Sequence, residues 1–304
     1  VSRPLDPAAA YLYGLFVEAA YRMYGNPSDP DPLRPEPVGI PDGWEVGAWI
    51  QMSDFVLQQE VPKFYGIVAH QIANPDSRII AIRGTEGAIE WLDDAAAVPV
   101  PFRQVPSAGR VAAGFDKIYS TLKVLKRHLP AADALAEGAA PQGAPPDTFA
   151  GSFADQLEQL AISRETARGA ERPGGEGTRP PRPTVVAGHS LGASLATLFA
   201  MENASKGRFD ISTLCTFASP RVGNMEFVHT FNQLPIDSWR IVNTRDLVPK
   251  LPPSVPIFLD YGQVDAEYTF DSAPFAKNNL LCWHVLETYL HWLNPDFPLR
   301  AECA

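Results

Sequence analysis

Val185–Leu198 reads VVAGHSLGASLATL, and how this stretch folds decides how the rest of the chain is read. Thr184, Val185 and Val186 form a β-branched entry, Gly-His-Ser-Leu-Gly follows at 188–192, and an Ala/Leu-rich helical pattern leaves it. Strand, tight turn and helix are the context that a G-x-S-x-G nucleophile elbow requires. Gly188 and Gly192 permit close packing where the strand turns into the helix. Ser190 is expected at the tip, in a strained backbone geometry, with its hydroxyl exposed above the sheet. The amide of Leu191, at the helix start, is expected to point where an oxyanion would form. The bare pentapeptide also reads as an ordinary glycine turn; the flanking elements favour a nucleophilic serine.

The chain has 304 residues, 45% of them hydrophobic, enough for a sizeable core in one large α/β domain. Acidic residues outnumber basic ones 35 to 25, a net charge of −10, and no Lys/Arg run exceeds two. Nucleic acid is therefore not an expected partner, nor is a polybasic membrane anchor. No apolar stretch approaches the roughly 18 residues of a spanning helix, so a soluble chain is expected. Cys215, Cys282 and Cys303 lack metal-site spacing. Cys215, in the apolar run STLCTFA, reads as a buried small hydrophobe. Cys282 and Cys303 read either as a disulfide tying down the C-terminus or as two free thiols; a disulfide would suit a secreted protein.

Working outward, Asp6-Pro7 before AAAYLYGLFVEAAYRMY predicts an N-capped helix whose core face carries Leu12, Phe16, Ala19 or Ala20, and Met23. A Pro-rich segment, Asn26 to Pro41, follows without regular structure. Tyr65–Gln71 and Arg78–Arg83 read as strands joined by the turn Asn74-Pro75-Asp76-Ser77, an antiparallel hairpin. Phe115–Leu129 reads as a helix ending in Lys126, Arg127 and His128. Further strands are expected at Leu214–Phe217, Arg240–Asn243 and Glu267–Phe270, and helices at Asn224–Asn232 and Asn279–Trp292. This alternation indicates an α/β sheet. Pro130–Pro183, rich in Ala, Pro and Gly, reads as a surface excursion carrying one helix, FADQLEQLAISRET.

A nucleophilic serine needs a base, a group that orients the base, and donors for the oxyanion. In RIVNTRDLVPKLPP, Asp246 follows a strand directly, at the edge where Ser190 also sits; a turn-forming Asp is the other reading. His70 falls in a strand, His128 at a helix end and His229 on a helix. His284 and His291 share LLCWHVLETYLHWL, downstream of Asp246. His284 lies nearer the start of that segment, beside a loop, and is preferred as the base. His291 would lie about 10 Å further along the same face, a position that favours packing.

Five blocks, in order, resemble the class 3 lipase family, the fungal-lipase-like branch of the α/β-hydrolases: AIRGTEGAIEWLDDA, GRVAAGFDKIYSTL, GHSLGASLATLFA, TFASPRVGN and RIVNTRDLVPKLPP. The closing CWHVLETYLH is similar to the histidine segment of some members. The resemblance implies a mixed, mostly parallel sheet with helices on both faces, and no metal or organic cofactor. It makes Ser190 the nucleophile, Asp246 the acid and His284 the base, with Thr85 joining Leu191 in the oxyanion hole. It implies an acyl-enzyme hydrolase of acylglycerols or related lipid esters, in transient contact with a lipid–water interface. Esterase action on short-chain or feruloyl-type esters, a phospholipase A1-like activity, and a catalytically silent lipid-binding scaffold stay open. The segment after Thr85, with Ile89, Trp91 and Leu92 among Glu86, Glu90, Asp93 and Asp94, reads either as a mobile lid or as a fixed surface helix. Three departures stand out: Ala112 where the family's block carries histidine, Ala193 after the elbow's last glycine, and the 130–183 excursion.

Overall fold

Arg78-Ile-Ile-Ala-Ile82 is buried along its whole length, as expected of a strand covered on both faces. It lies inside an eight-stranded sheet. The computed structural model describes residues 4–25, 38–54, 61–85, 97–127, 148–167, 183–254 and 260–304. The strands used below are β1 (Trp44–Asp54), β2 (Val61–Gln71), β3 (Arg78–Ile82), β4 (Pro99–Pro101), β5 (Arg110–Ala112), β6 (Lys123–Lys126), β7 (Pro183–His189), β8 (Asp210–Phe217), β9 (Gly223–Asn224), β10 (Asp237–Asn243), β11 (Tyr261–Gly262) and β12 (Glu267–Phe270). The large sheet has the order β12-β10-β8-β7-β3-β2-β1-β6. From β12 to β3 every pairing is parallel; from β3 to β6 every pairing is antiparallel. The short strands β11-β9-β5-β4 make a separate antiparallel sheet.

Helices cover both faces. Helix α1 (Pro7–Gly25) starts where the Asp6 carboxylate accepts from the amides of Ala8 and Ala9, the cap that the sequence signals. Its Phe16, Ala19 and Met23 share one core with Leu286, Tyr289 and Leu290 of α7 (Leu286–Leu293). The opposite face takes α2 (Ala113–Tyr119), α3 (Phe153–Ala167) and α4 (Leu191–Lys206). Helix α4 is buried from Leu191 to Asn203, which explains its lack of a polar stripe.

Three expectations need correction. The predicted Phe115–Leu129 helix ends at Tyr119, and Lys123–Lys126 forms β6, the edge strand beside β1. Ser120 and Thr121 turn their hydroxyls back onto the carbonyls of Lys117 and Ile118, a local bond that competes with helix continuation. His128 lies outside the described residues. The single predicted helix at Asn279–Trp292 is two, α6 (Leu280–His284) and α7, separated by Val285 in an extended conformation (φ −60°, ψ 141°). The helix within 130–183 is α3, and it is core: Phe153, Ala154, Leu157, Leu160 and Ala161 are buried against α4 and β6. The flanks, 128–147 and 168–182, lie outside the described residues, as do most of the Pro-rich segment (26–37) and most of the segment following Thr85 (86–96).

The remaining elements match. β2 and β3 form the hairpin, with Ser77 closing onto Asn74, and β8, β10 and β12 run where strands are expected. Helix α5 (Met225–Phe231) is capped by Asn224. Cys215 is a buried free thiol, and Cys282 is bonded to Cys303. Among the described residues, no helix is long and apolar enough to cross a membrane.

Candidate active site

Parallel register aligns four strand ends. Ile82 of β3 pairs with Gly188 of β7, His189 pairs with Phe217 of β8, and Phe217 pairs with Ile241 of β10. The chain therefore delivers Gly84 and Thr85, then Ser190, then Asn243 and Asp246, to one carboxyl edge of the sheet. That edge is where open α/β sheets place their ligand crevices.

Ser190 sits between β7 and α4 with φ 56° and ψ −125°, a backbone conformation that side chains rarely adopt. A hydrogen bond from its amide to the carbonyl of Phe217 helps to hold it there. Gly188 and Gly192 are needed because a Cβ at either would run into backbone, at Gly192 and at Ile82 respectively. The exposed hydroxyl expected from the sequence is not seen. Ser190 is fully buried, with Gly84 and His284 lying against it.

Nε2 of His284 lies 2.9 Å from Ser190 Oγ, and its Nδ1 lies 2.8 Å from Asp246 Oδ2. Because a carboxylate only accepts, Nδ1 carries the proton and Nε2 is free to accept from the serine hydroxyl. Asp246 is almost wholly buried, while the His284 side chain keeps 12% exposure, so the imidazole is the member of the line that solvent reaches. The second Asp246 oxygen accepts from the amide of Val248 at 2.9 Å, and Tyr289 donates its hydroxyl to Oδ2 at 2.7 Å. Burial, the Asp246 charge and the bond to it push the Tyr289 phenol well above its usual range, so it stays a donor.

Thr85 follows the end of β3, beside the serine. Its Oγ1 is buried and has no hydrogen-bond partner among the described residues. Leu191 is the first residue of α4, where a helix leaves its amides unpaired. Gly84 is required by closeness: a Cβ there would stand 2.8 Å from Ser190 Cβ. His291, the other downstream histidine, is elsewhere. Its Nδ1 donates to the carbonyl of Phe297 at 2.7 Å, a bond that ties down the end of α7.

Three buried groups around this line were not singled out in the sequence. Asn243 donates to the carbonyl of Trp283 at 2.9 Å and to Ser272 Oγ at 2.8 Å. His189, next to the serine, has both ring nitrogens engaged, and Tyr289 holds the Asp246 carboxylate. Burial above all holds His189 well below the usual imidazole range, so its ring is neutral. His189 lies inside the elbow motif itself, the one signal that sequence reading had for it.

The family model described as Lipase (class 3) matches residues 79–255, more than half of the chain. The chain belongs to the class 3 lipase family. This family member is 31% identical over 228 residues to phospholipase A1-II 4 of Oryza sativa subsp. japonica, covering 70% of this chain and 49% of the relative. It is 27% identical over 271 residues to phospholipase A1-II 1 of Oryza sativa subsp. indica, covering 84% and 60%. The chain thus spans about half to three fifths of the length of these curated relatives. Among solved structures, the Rhizomucor miehei triacylglyceride lipase superposes with a TM-score of 0.55 at 20% identity, over 90% of this chain and 84% of that one. That likeness places this member of the class 3 lipase family in the α/β-hydrolase fold, with the mixed, mostly parallel sheet that the resemblance implies.

Proposed function

We propose that the chain is a single-domain serine carboxylic-ester hydrolase acting on glycerolipid esters through an acyl-enzyme. The observation that carries this reading is the hydrogen-bonded line Ser190–His284–Asp246, with the serine held at positive φ. In the proposed reaction His284 Nε2 takes the proton of Ser190 as Oγ attacks the ester carbonyl. The amides of Leu191 and Thr85, with the Thr85 hydroxyl that has no partner among the described residues, receive the oxyanion. The tetrahedral adduct collapses, and the alcohol leaves with the proton from His284. Water then attacks the acyl-enzyme by the same route, returning the proton to Ser190 and releasing the acid. Asp246 fixes the imidazole tautomer and balances the imidazolium in both steps.

A phospholipid substrate is favoured by the identity to the rice phospholipases A1 over 70% or more of the chain. Contact with a lipid–water interface is supported by Leu247, Leu280 and Leu281, which are exposed within a few residues of Asp246 and His284. The Cys282–Cys303 bond supports a secreted, oxidising location.

The test is initial rates on p-nitrophenyl esters from acetate to palmitate, on phosphatidylcholine vesicles and on trioctanoin emulsion, with Ser190→Ala beside the wild type. Turnover on the lipid substrates, abolished in Ser190→Ala, is the expected result. A preference for acetate with none for lipid would replace the lipase reading by a small-ester esterase. No turnover on any ester would leave the non-catalytic scaffold.

A further inference from the structure

Besides the Ser190–His284–Asp246 line, the fold contains a second chain of hydrogen bonds, partly buried, and its direction is fixed at both ends. The amide of Gly84 donates to Tyr21 Oη at 2.8 Å. Tyr21 Oη lies 2.7 Å from His189 Nδ1, and His189 Nε2 lies 2.8 Å from the carbonyl of His284. An amide can only donate and a carbonyl can only accept, so every proton between them is assigned. Nε2 of His189 carries hydrogen, Nδ1 accepts from the Tyr21 hydroxyl, and the Tyr21 oxygen accepts from Gly84. The chain therefore runs from the residue before Thr85 to the backbone of His284.

The break between α6 and α7 gives this bond its purpose. Because Val285 leaves the helical conformation, the carbonyl of His284 lies at a helix end without an onward helical partner. His189 satisfies it, and Asn243 holds the preceding carbonyl, that of Trp283. Two side chains from the ends of β7 and β10 thus fix two successive peptide groups at the base. The rings of His189 and His284 lie 4.9 Å apart.

Resting on the ester-hydrolase reading above, we propose that His189, kept as the Nε2–H tautomer by Tyr21, is a positioning residue that couples the oxyanion segment at Gly84 to the backbone of the base His284. The surroundings suit a neutral ring. His284 and Arg300 oppose a positive charge on His189, the Arg83 guanidinium lies over the Tyr21 ring, and Glu18 and Glu287 act on Tyr21 from α1 and α7. Burial raises the Tyr21 phenol far above its usual range, so the hydroxyl keeps the proton that it donates.

The experiment combines kinetics on p-nitrophenyl butyrate with 15N NMR of the imidazole nitrogens and thermal melts. It uses wild type, Ser190→Ala, His189→Leu, His189→Gln and Tyr21→Phe. His189→Leu strands the carbonyl of His284 and is expected to lower kcat about 10- to 100-fold with KM within about twofold. Glutamine places an N–H near the position of Nε2, so His189→Gln is expected to stay within about fivefold of wild type. In the wild type His189 is expected to be protonated at Nε2 alone, and in Tyr21→Phe part of that proton moves to Nδ1. A folded His189→Leu with wild-type kcat, a glutamine variant no better than leucine, or a wild-type ring protonated at Nδ1 would each overturn the proposal. Should His189→Leu fail to fold, Tyr21→Phe and the NMR tautomer decide the matter alone. Failure of the hydrolase reading looks different: wild type and Ser190→Ala would be equally inactive on every ester.

Discussion

Tyr289 and His284 donate to the same oxygen of Asp246, Oδ2, at 2.7 and 2.8 Å. Both donors come from the C-terminal helical segment, five residues apart on either side of the break at Val285. The phenol also accepts from the amide of Asn243 at 3.3 Å, so one hydroxyl ties that segment to the end of β10. Removing it in Tyr289→Phe takes one donor from a carboxylate that keeps two others, and strands the Asn243 amide. The expected loss is about 1–2 kcal/mol in stability, with kcat falling about three- to tenfold at unchanged KM. Urea denaturation and steady-state kinetics check both. A variant equal to wild type in both would show that Asp246 needs only His284 and Val248.

Gly84 is tied to the serine by space rather than by bonding. A Cβ there would meet Ser190 Cβ and Tyr21 Oη at 2.8 Å and the carbonyl of His189 at 3.0 Å. In Gly84→Ala the end of β3 must move away from the elbow and carry Thr85 with it. A displacement of about 1 Å is enough to cost about 10²-fold in kcat. The expected outcome is a folded protein with kcat reduced by that order. Kinetics within threefold of wild type would show that the segment carrying Thr85 has room to spare.

The strand–turn–helix around Ser190 is legible in the sequence because it is a local pattern with a local mechanical reason, whereas Asp246 and Thr85 are singled out by a strand end and by the family resemblance. What the sequence hides depends on distance or irregularity. Strand β1, WEVGAWIQMSD, escapes period-two reading because its register against β2 shifts at Val46/Ala48 and again at Ile50/Gln51. Strand β6, KVLK, is only four residues long and continues an apolar spacing that also suits the preceding helix. His284 is preferred over His291 for its nearness to a loop, but the loop that matters is Val285, inside a run that reads as continuous helix. Tyr21 and His189 meet across 168 residues of sequence, which no periodicity reports.

The Cys282–Cys303 bond anchors α6 two residues before His284, and the amide of Lys277 adds a bond to the carbonyl of Cys303 at 2.9 Å. Closing a 21-residue separation restricts the unfolded chain by about 3 kcal/mol in the loop-entropy treatment. The double variant Cys282→Ala/Cys303→Ala is expected to lose about that much in denaturant unfolding. On heating, its ester hydrolysis should also fail at a lower temperature than its far-UV signal, because the histidine segment loosens first. Coincident loss of activity and helix signal would place the bond's effect on the whole fold rather than on this segment.

Acid stability draws on a different corner of the molecule. Lys206 on α4 lies 2.7 Å from Asp155 and 3.0 Å from Glu202, and Ser152 donates to Asp155 at 2.8 Å, joining α3 to α4. Desolvation raises the Asp155 carboxyl, but the bonds from Lys206 and Ser152 outweigh it and hold the group below the ordinary aspartate range. A carboxyl depressed on folding contributes stability above its unfolded value of about 3.9, and that contribution is lost as pH falls through the lower folded value. Asp155→Asn removes the titration and keeps the shape. Its melting temperature is expected to lie below that of wild type at pH 6, and the gap should narrow as the pH drops from about 4 toward 2. Melts across that range check the sign: a gap that widens in acid would mean that the carboxyl is raised on folding and that the Lys206 contact contributes little.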